Sequence, residues 1–307
     1  MSLANITLNQ ILIMFSIILI GFICYKVKLI DAIMNKHLSN MLLMLVSPIL
    51  IFNSYIREFS PEILKGLLIS LGLAVLTHII AIVVTYGILR GKSNKDLVIE
   101  RFSAIYSNCG FMGIPLINGI LGSEGVFYIT AYMTVFNAFI WTHGLIMMIG
   151  KQDKKTMIKT LISPTLIGIL LGFIFFLGRI PLPNVIKTAF VYVGDMNTPL
   201  AMLIAGVTIA QTNIKKVFFK FRIYFVASVK LLVIPILLLL IYSRFNVPNA
   251  VLTTAIVAAA CPTAATGTLF ALRYNKNALY ASEVFAVTTL ISMATLPLVV
   301  ALIEYIA

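Results

Sequence analysis

Two short stretches hold the residues whose types and spacing suit ligand chemistry. The first runs Ser107-Asn-Cys-Gly-Phe-Met-Gly-Ile-Pro-Leu116 and places Gly110, Gly113 and Pro115 close together. The second runs Ala258-Ala-Ala-Cys-Pro-Thr-Ala-Ala-Thr-Gly267 and holds Pro262 and Gly267. Proline removes a backbone donor and crowds the turn before it. Glycine accepts the dihedrals of a break. A helix broken in this way exposes N–H groups at the start of its second half, and these, with the helix dipole, suit an anion. Asn108, Thr263 and Thr266 stand beside the two breaks and add side-chain hydrogen-bonding capacity. One such helix reads as a packing kink; two in matching positions read as a binding site.

Three ionisable residues lie at depth in apolar blocks: Lys230, Asp195 and His78. Charges there are costly and mark either function or pairing. Two roles stay open: they hold substrate charge or a coupling proton, or Lys230 pairs with Asp195 or caps freed carbonyls. His78, as a lone histidine, leans to a structural role. Glu124 and Glu283 fall near block starts, where solvent exposure or stabilisation of a helix N-terminus accounts for them.

The elements that position these residues are long apolar blocks. The 307 residues are 61% hydrophobic and 11% charged, too little charge to cover a soluble domain of this size. A block of about 20 apolar residues matches the bilayer interior when helical. Ten spans are expected, at roughly 7–26, 38–56, 65–89, 98–121, 126–149, 157–178, 187–210, 219–243, 249–272 and 279–303.

The net charge of +13 sits in the connections, seventeen basic residues flanking the odd loops and five the even ones, so it reports orientation and not nucleic-acid binding. Both termini are expected on the extracytoplasmic side of the cell membrane. No cleavable signal peptide is expected, because a basic n-region is missing before the first span. Cys24, Cys109 and Cys261 all fall inside spans and read as small buried apolar residues, not as a disulfide set or metal site.

Enzyme motifs are absent. Gly91-Lys92-Ser93 resembles the end of a phosphate loop, but Tyr86 stands where its first glycine belongs. There is no His-Glu-x-x-His pair, no Gly-x-Ser-x-Gly elbow and no pair of acids at depth for a protease, so the chain is not read as an enzyme. No cofactor is expected.

Landmarks recur between the halves. Pro48 matches Pro199, Pro115 matches Pro262, and Ser123-Glu124 matches Ser282-Glu283, at separations of 151, 147 and 159 positions. Residues 1–150 and 151–307 therefore read as two five-helix units. Five is odd, so the second enters the membrane from the opposite side, the inverted repeat frequent in secondary transporters.

At these residues the sequence resembles the auxin efflux carrier family, including its bacterial malate-permease-like members. The stretches that carry the resemblance are Asn108 to Leu116, Thr198-Pro-Leu-Ala-Met-Leu-Ile-Ala-Gly206, Ala260-Cys-Pro-Thr-Ala264 and Thr295-Leu-Pro297. The resemblance implies two inverted five-helix repeats whose broken spans 4 and 9 cross near mid-membrane. It implies a scaffold of spans 1, 2, 6 and 7, also the surface of a homodimer, and a mobile part of spans 3–5 and 8–10 that moves like an elevator. Substrate, a small organic anion of the mono- or dicarboxylate class, would sit by Asn108, Pro115 and Pro262. The coupling ion, H+ or Na+, stays open. One departure is Thr266, where many relatives carry Asn. A channel or membrane sensor keeping the transporter fold is the alternative.

Overall fold

The computed structural model describes residues 3–91, 95–149, 164–212, 217 and 220–306. The first part of the expected span 6 and the basic residues Lys92, Lys151, Lys154, Lys155, Lys159, Lys215 and Lys216 lie outside the described residues.

The described chain is helical. Its helices are α1 (Leu3–Lys26), α2 (Ala32–Met41), α3 (Ser47–Ser54), α4 (Pro61–Ile88), α5 (Leu97–Ile105), α6 (Ile114–Phe139), α7 (Leu145–Ile149) and α8 (Pro164–Gly178) in the first part of the chain. There follow α9 (Asn184–Asp195), α10 (Asn197–Ala210), α11 (Phe221–Ser228), α12 (Ile234–Tyr242), α13 (Asn249–Ala260), α14 (Thr266–Arg273) and α15 (Ala278–Ile306). Local chemistry sets several starts. Asp31 accepts from Met34 N at 2.7 Å to cap α2, and Ser60 accepts from Ile63 N at 3.2 Å to cap α4 ahead of Pro61.

Wide π turns at Leu42–Val46, Cys109–Gly113 and Val229–Val233 each run directly into a helix whose second residue is proline: Pro48, Pro115 and Pro235. A proline ring clashes with the carbonyl four residues back and offers no N–H. Widening the preceding turn relieves the clash without stopping the helix.

Among the described residues, seven helical runs are long and apolar enough to cross a membrane: Leu3–Lys26, Ala32–Ser54, Pro61–Ile88, Cys109–Ile149, Asn184–Ala210, Phe221–Tyr242 and Ala278–Ile306. Pro164–Gly178 and Asn249–Ala260 are apolar but shorter. The Cys109–Ile149 run has 41 residues. At about 1.5 Å per residue it is roughly twice as long as the ~30 Å hydrocarbon layer is thick. Gly122, at φ 60° and ψ −150°, breaks it where a loop between spans 4 and 5 was expected. A count of ten requires this run to cross twice and the two shorter helices to cross as well.

Two kinds of packing are visible. Along α1 and α10 the backbones nearly touch: a Cβ on Gly206 would collide with the Ile18 carbonyl oxygen, and one on Gly21 with that of Leu203. Small residues give membrane helices this close approach. α3 packs on α8 and α9, with Phe52 edge-on to Phe175 and Phe190 at 5.2 and 5.8 Å. A second group packs α4, α6, α13 and α15 around the buried ends of α5 and α11. Tyr55, directly after α3, reaches across to Thr130 of α6, hydroxyl to hydroxyl at 2.5 Å. Large side chains such as Leu19, Ile20, Val83 and Leu298 face outward, as a lipid-facing surface demands.

Candidate binding site at the crossover of two broken helices

α5 ends at Ile105 and the chain resumes helical turns at Cys109; α13 ends at Ala260 and the chain resumes at Thr266. Buried backbone groups need partners, and the two breaks supply them to each other. Asn108 N–H donates to the Pro262 carbonyl at 2.7 Å, and Ala264 N–H to that of Tyr106 at 2.9 Å. Ser107 and Thr263 thus face one another in a single antiparallel bridge.

Lys230 of the Val229–Val233 turn lies at this bridge, only 1% exposed. Its ammonium donates to Ser107 Oγ at 2.5 Å and to the Ala259 carbonyl at 3.1 Å. Ser107 Oγ donates to the same carbonyl at 3.1 Å. Of the structural roles open for Lys230, the structure selects the capping of freed carbonyls. Asp195 lies elsewhere, exposed at the end of α9, the helix packed on α3.

The three side chains that the sequence placed beside the breaks each leave a buried polar atom without a protein partner: Asn108 Nδ2, Thr263 Oγ1 and Thr266 Oγ1. An unpaired buried donor or acceptor costs about 1–3 kcal/mol. Beside them, Thr263 N–H donates to Thr288 Oγ1 of α15 at 3.3 Å. Gly110 and Gly113 line the turn that opens the second half of the broken helix, and Pro115 follows as the second residue of α6. The crossover therefore joins one cation, three unpaired side-chain polar atoms and two helix starts, in a form that suits a small anion.

His78 packs beside the first break, its ring 6.3 Å from that of Tyr106 and its Nε2 also without a partner. Its Nδ1 lies 2.8 Å from the Ala74 carbonyl, and its ring stacks on Phe139 with centroids 5.0 Å apart and faces Tyr132 at 5.3 Å. Among the described residues no cluster of three or more His, Cys, Asp or Glu side chains could hold a metal.

One reading from the sequence is corrected. Glu283 is neither solvent-exposed nor a mere helix-start charge: it is 2% exposed and pairs with Lys220 at 2.5 Å. Glu100, passed over in the sequence, is buried likewise and takes a two-pronged contact from Arg222, closest at 2.8 Å, with the Tyr280 hydroxyl at 3.1 Å. Burying a carboxylate near the end of a span requires such a partner. Glu124 is exposed, as read. Ser107 and Thr288 are the site residues that sequence reasoning missed; small hydroxyls within apolar spans were their one signal.

Residues 6–156 and 151–300 match the model of a family described as membrane transport protein. The chain belongs to this family, the auxin efflux carriers. The chain is 24% identical over 296 residues to a protein of Rhizobium meliloti (strain 1021) named "Putative malonate transporter"; the match covers 92% of this chain and 91% of the relative. It is 26% identical over 204 residues to an "Uncharacterized transporter" of Methanothermobacter thermautotrophicus (strain Delta H), covering 64% and 65% of the two chains. The resemblance drawn from Asn108–Leu116 and its companion stretches is thereby borne out, and the chain is a multi-pass membrane protein of a transport family.

Proposed function

We propose that this protein is a secondary carrier for a small organic anion, a mono- or dicarboxylate of the malate or malonate type, and that the crossover is its binding site. One observation carries the reading: Lys230 and the unpaired Asn108, Thr263 and Thr266 polar atoms converge where two helices break. The name borne by the Rhizobium relative favours a dicarboxylate. In this reading Asn108 Nδ2, the two threonine hydroxyls and the backbone around Gly110, Gly113, Pro115 and Pro262 hold a carboxylate, and Lys230 offsets its charge. Asp195 and His78 are held in reserve as carriers of a coupling proton; a sodium ion held by backbone carbonyls is the other coupling chemistry.

The same reading takes the fold as two inverted five-helix repeats, 1–150 and 151–307, with ten spans and both termini outside. The scaffold comprises spans 1, 2, 6 and 7, the surface of a homodimer, and spans 3–5 and 8–10 slide past it. The glycine-tight contact of α1 with α10 supports a fixed scaffold.

The test is uptake of labelled malate and malonate into proteoliposomes, with other carboxylates as competitors, by wild type and Asn108→Ala. A hydrogen bond to a charged group contributes about 1.5–3 kcal/mol, so roughly a ten- to hundredfold loss of transport is expected in the folded variant. Uptake without saturation or counterflow points to a channel. Transport indifferent to Asn108, or absent for every carboxylate, overturns the site.

A further inference from the structure

We propose that Cys109 and Cys261 form a redox-closable dithiol at the crossover, which on oxidation ties the two broken helices together. The bridge sets the register. Ser107 faces Thr263 without exchanging hydrogen bonds with it, while Tyr106 bonds to Ala264 and Asn108 to Pro262 on either side. The pairing ends at Asn108 and Pro262. Cys109 and Cys261 are their immediate chain neighbours, Cys109 opening the next helical turn and Cys261 directly following α13. A disulfide needs Cα atoms roughly 4.4–6.8 Å apart.

Gly113 provides an independent locator. A Cβ built on it would lie 3.4 Å from Cys109 Cβ and 3.5 Å from Cys261 Sγ, so both cysteine side chains border the space that this glycine leaves open. Both cysteines are free and fully buried, whereas Cys24 is half-buried on α1. Two thiols on opposite sides of the same pairing contribute more than small apolar bulk: they are the one covalent link available between the two breaks.

The closing step is thiol–disulfide exchange with a diffusible small-molecule disulfide. One Cys sulfur attacks the oxidant, releasing its first thiol and forming a mixed disulfide. The second Cys sulfur attacks that bond, releasing the second thiol and forming the Cys109–Cys261 link. Two S–H bonds are lost, one protein S–S bond is formed, and the oxidant is reduced to two thiols that carry the protons. Burial means that the reagent enters only while the crossover is open. The pairing does not rest on the proposed function; the arrest of transport by the link does.

The full chain with Cys24→Ser is reconstituted and treated with excess dithiodipyridine, and the released pyridinethione is counted by absorbance. Two released per chain, no adduct retained, and peptide mapping that joins the Cys109 and Cys261 peptides are expected. Adding Cys261→Ser should leave an adduct on Cys109 or no reaction, and no joined peptides. A separate adduct on each cysteine, or two free thiols after treatment, overturns the pairing. Once the link has formed, carboxylate counterflow should stop and return on adding dithiothreitol. Continued counterflow in the linked protein overturns the arrest, and with it the crossover as the transport site, while leaving the pairing intact.

Discussion

The contact between α1 and α10 and the crossover of the two broken helices are both buried and both join distant parts of the chain, yet they are built in opposite ways. Along α1 and α10, glycines bring backbone against backbone: Gly206 lies under Ile18 and Phe22, and Gly21 under Leu203. Polar groups there lie at the margins: Asn35 of α2 donates its Nδ2 to Thr208 Oγ1 at 3.2 Å, while its Oδ1 and the Asn197 Oδ1 at the start of α10 are left without a partner. At the crossover, backbone meets backbone through just two hydrogen bonds, and Asn108, Thr263 and Thr266 each keep an unused polar atom. Dense packing of backbone on backbone gives one well-defined arrangement. Unsatisfied buried groups cost stability, and native structures keep them where a ligand or a movement uses them. On the proposed function, the first region stays closed and the second receives the ligand.

The largest expected effect tests the closed region. A side chain at Gly206 meets the Ile18 carbonyl within contact distance and Phe22 N at 2.8 Å, both backbone atoms that cannot turn aside. Gly206→Leu should exceed the ~1–3 kcal/mol of ordinary overpacking and yield no monodisperse protein on size exclusion in detergent. Gly72→Leu is the control: nothing lies within 4 Å of a Cβ there, and its melting temperature should match wild type. A well-behaved Gly206→Leu would remove the contrast between the two regions.

The second effect bears on the crossover cation. Replacing Lys230 by Met removes a buried ammonium whose described hydrogen bonds reach no carboxylate. The Ala259 carbonyl keeps the Ser107 hydroxyl as donor, so no acceptor is stranded. Burying a charge without a counter-charge is unfavourable, so Lys230→Met should melt at or above the wild-type temperature. Opposite charges 4 Å apart attract by about 4 kcal/mol at an effective dielectric near 20; carboxylate transport should therefore fall by about a hundredfold or more. The reverse pattern, a lower melting temperature with transport kept, would make Lys230 a structural cap and move the crossover toward the α1–α10 kind of packing.

How much of this contrast was legible in the sequence depends on the kind of interaction. The apolar, helical character of the chain followed from the lengths of its apolar blocks, and the breaks fell where Pro262 and the Gly110–Pro115 cluster placed them, because helix length and proline chemistry are local. The π turns before Pro48 and Pro235 were not legible, since the strain of a proline is relieved one turn upstream, in residues with no distinctive composition. Lys230 was marked by its depth. Its acceptor, the Ala259 carbonyl, left no trace, because every residue carries one. The Glu100–Arg222 and Glu283–Lys220 pairs were hidden for a related reason: each joins residues 122 or 63 positions apart, and sequence records a charge but not the direction in which its helix turns it.

The smallest effect is the most diagnostic, because it separates an unused polar atom from the packing around it. Thr266 opens α14 and its hydroxyl has no protein partner. Valine has nearly the same shape and the same β-branched restriction, so Thr266→Val keeps the volume and removes the hydroxyl. If that hydroxyl served the fold, its loss would lower the melting temperature. Since it is unpaired, the melting temperature should hold or rise slightly, while a neutral hydrogen bond to substrate, worth about 0.5–1.5 kcal/mol, disappears. Half-saturation for the carboxylate should then rise by about two- to tenfold. Thr266→Asn supplies a longer amide at the same place, so it should change the ranking among competing carboxylates and not merely weaken all of them. A Thr266→Val variant with wild-type half-saturation would place the ligand away from α14 and restrict the site to the Asn108 side of the bridge.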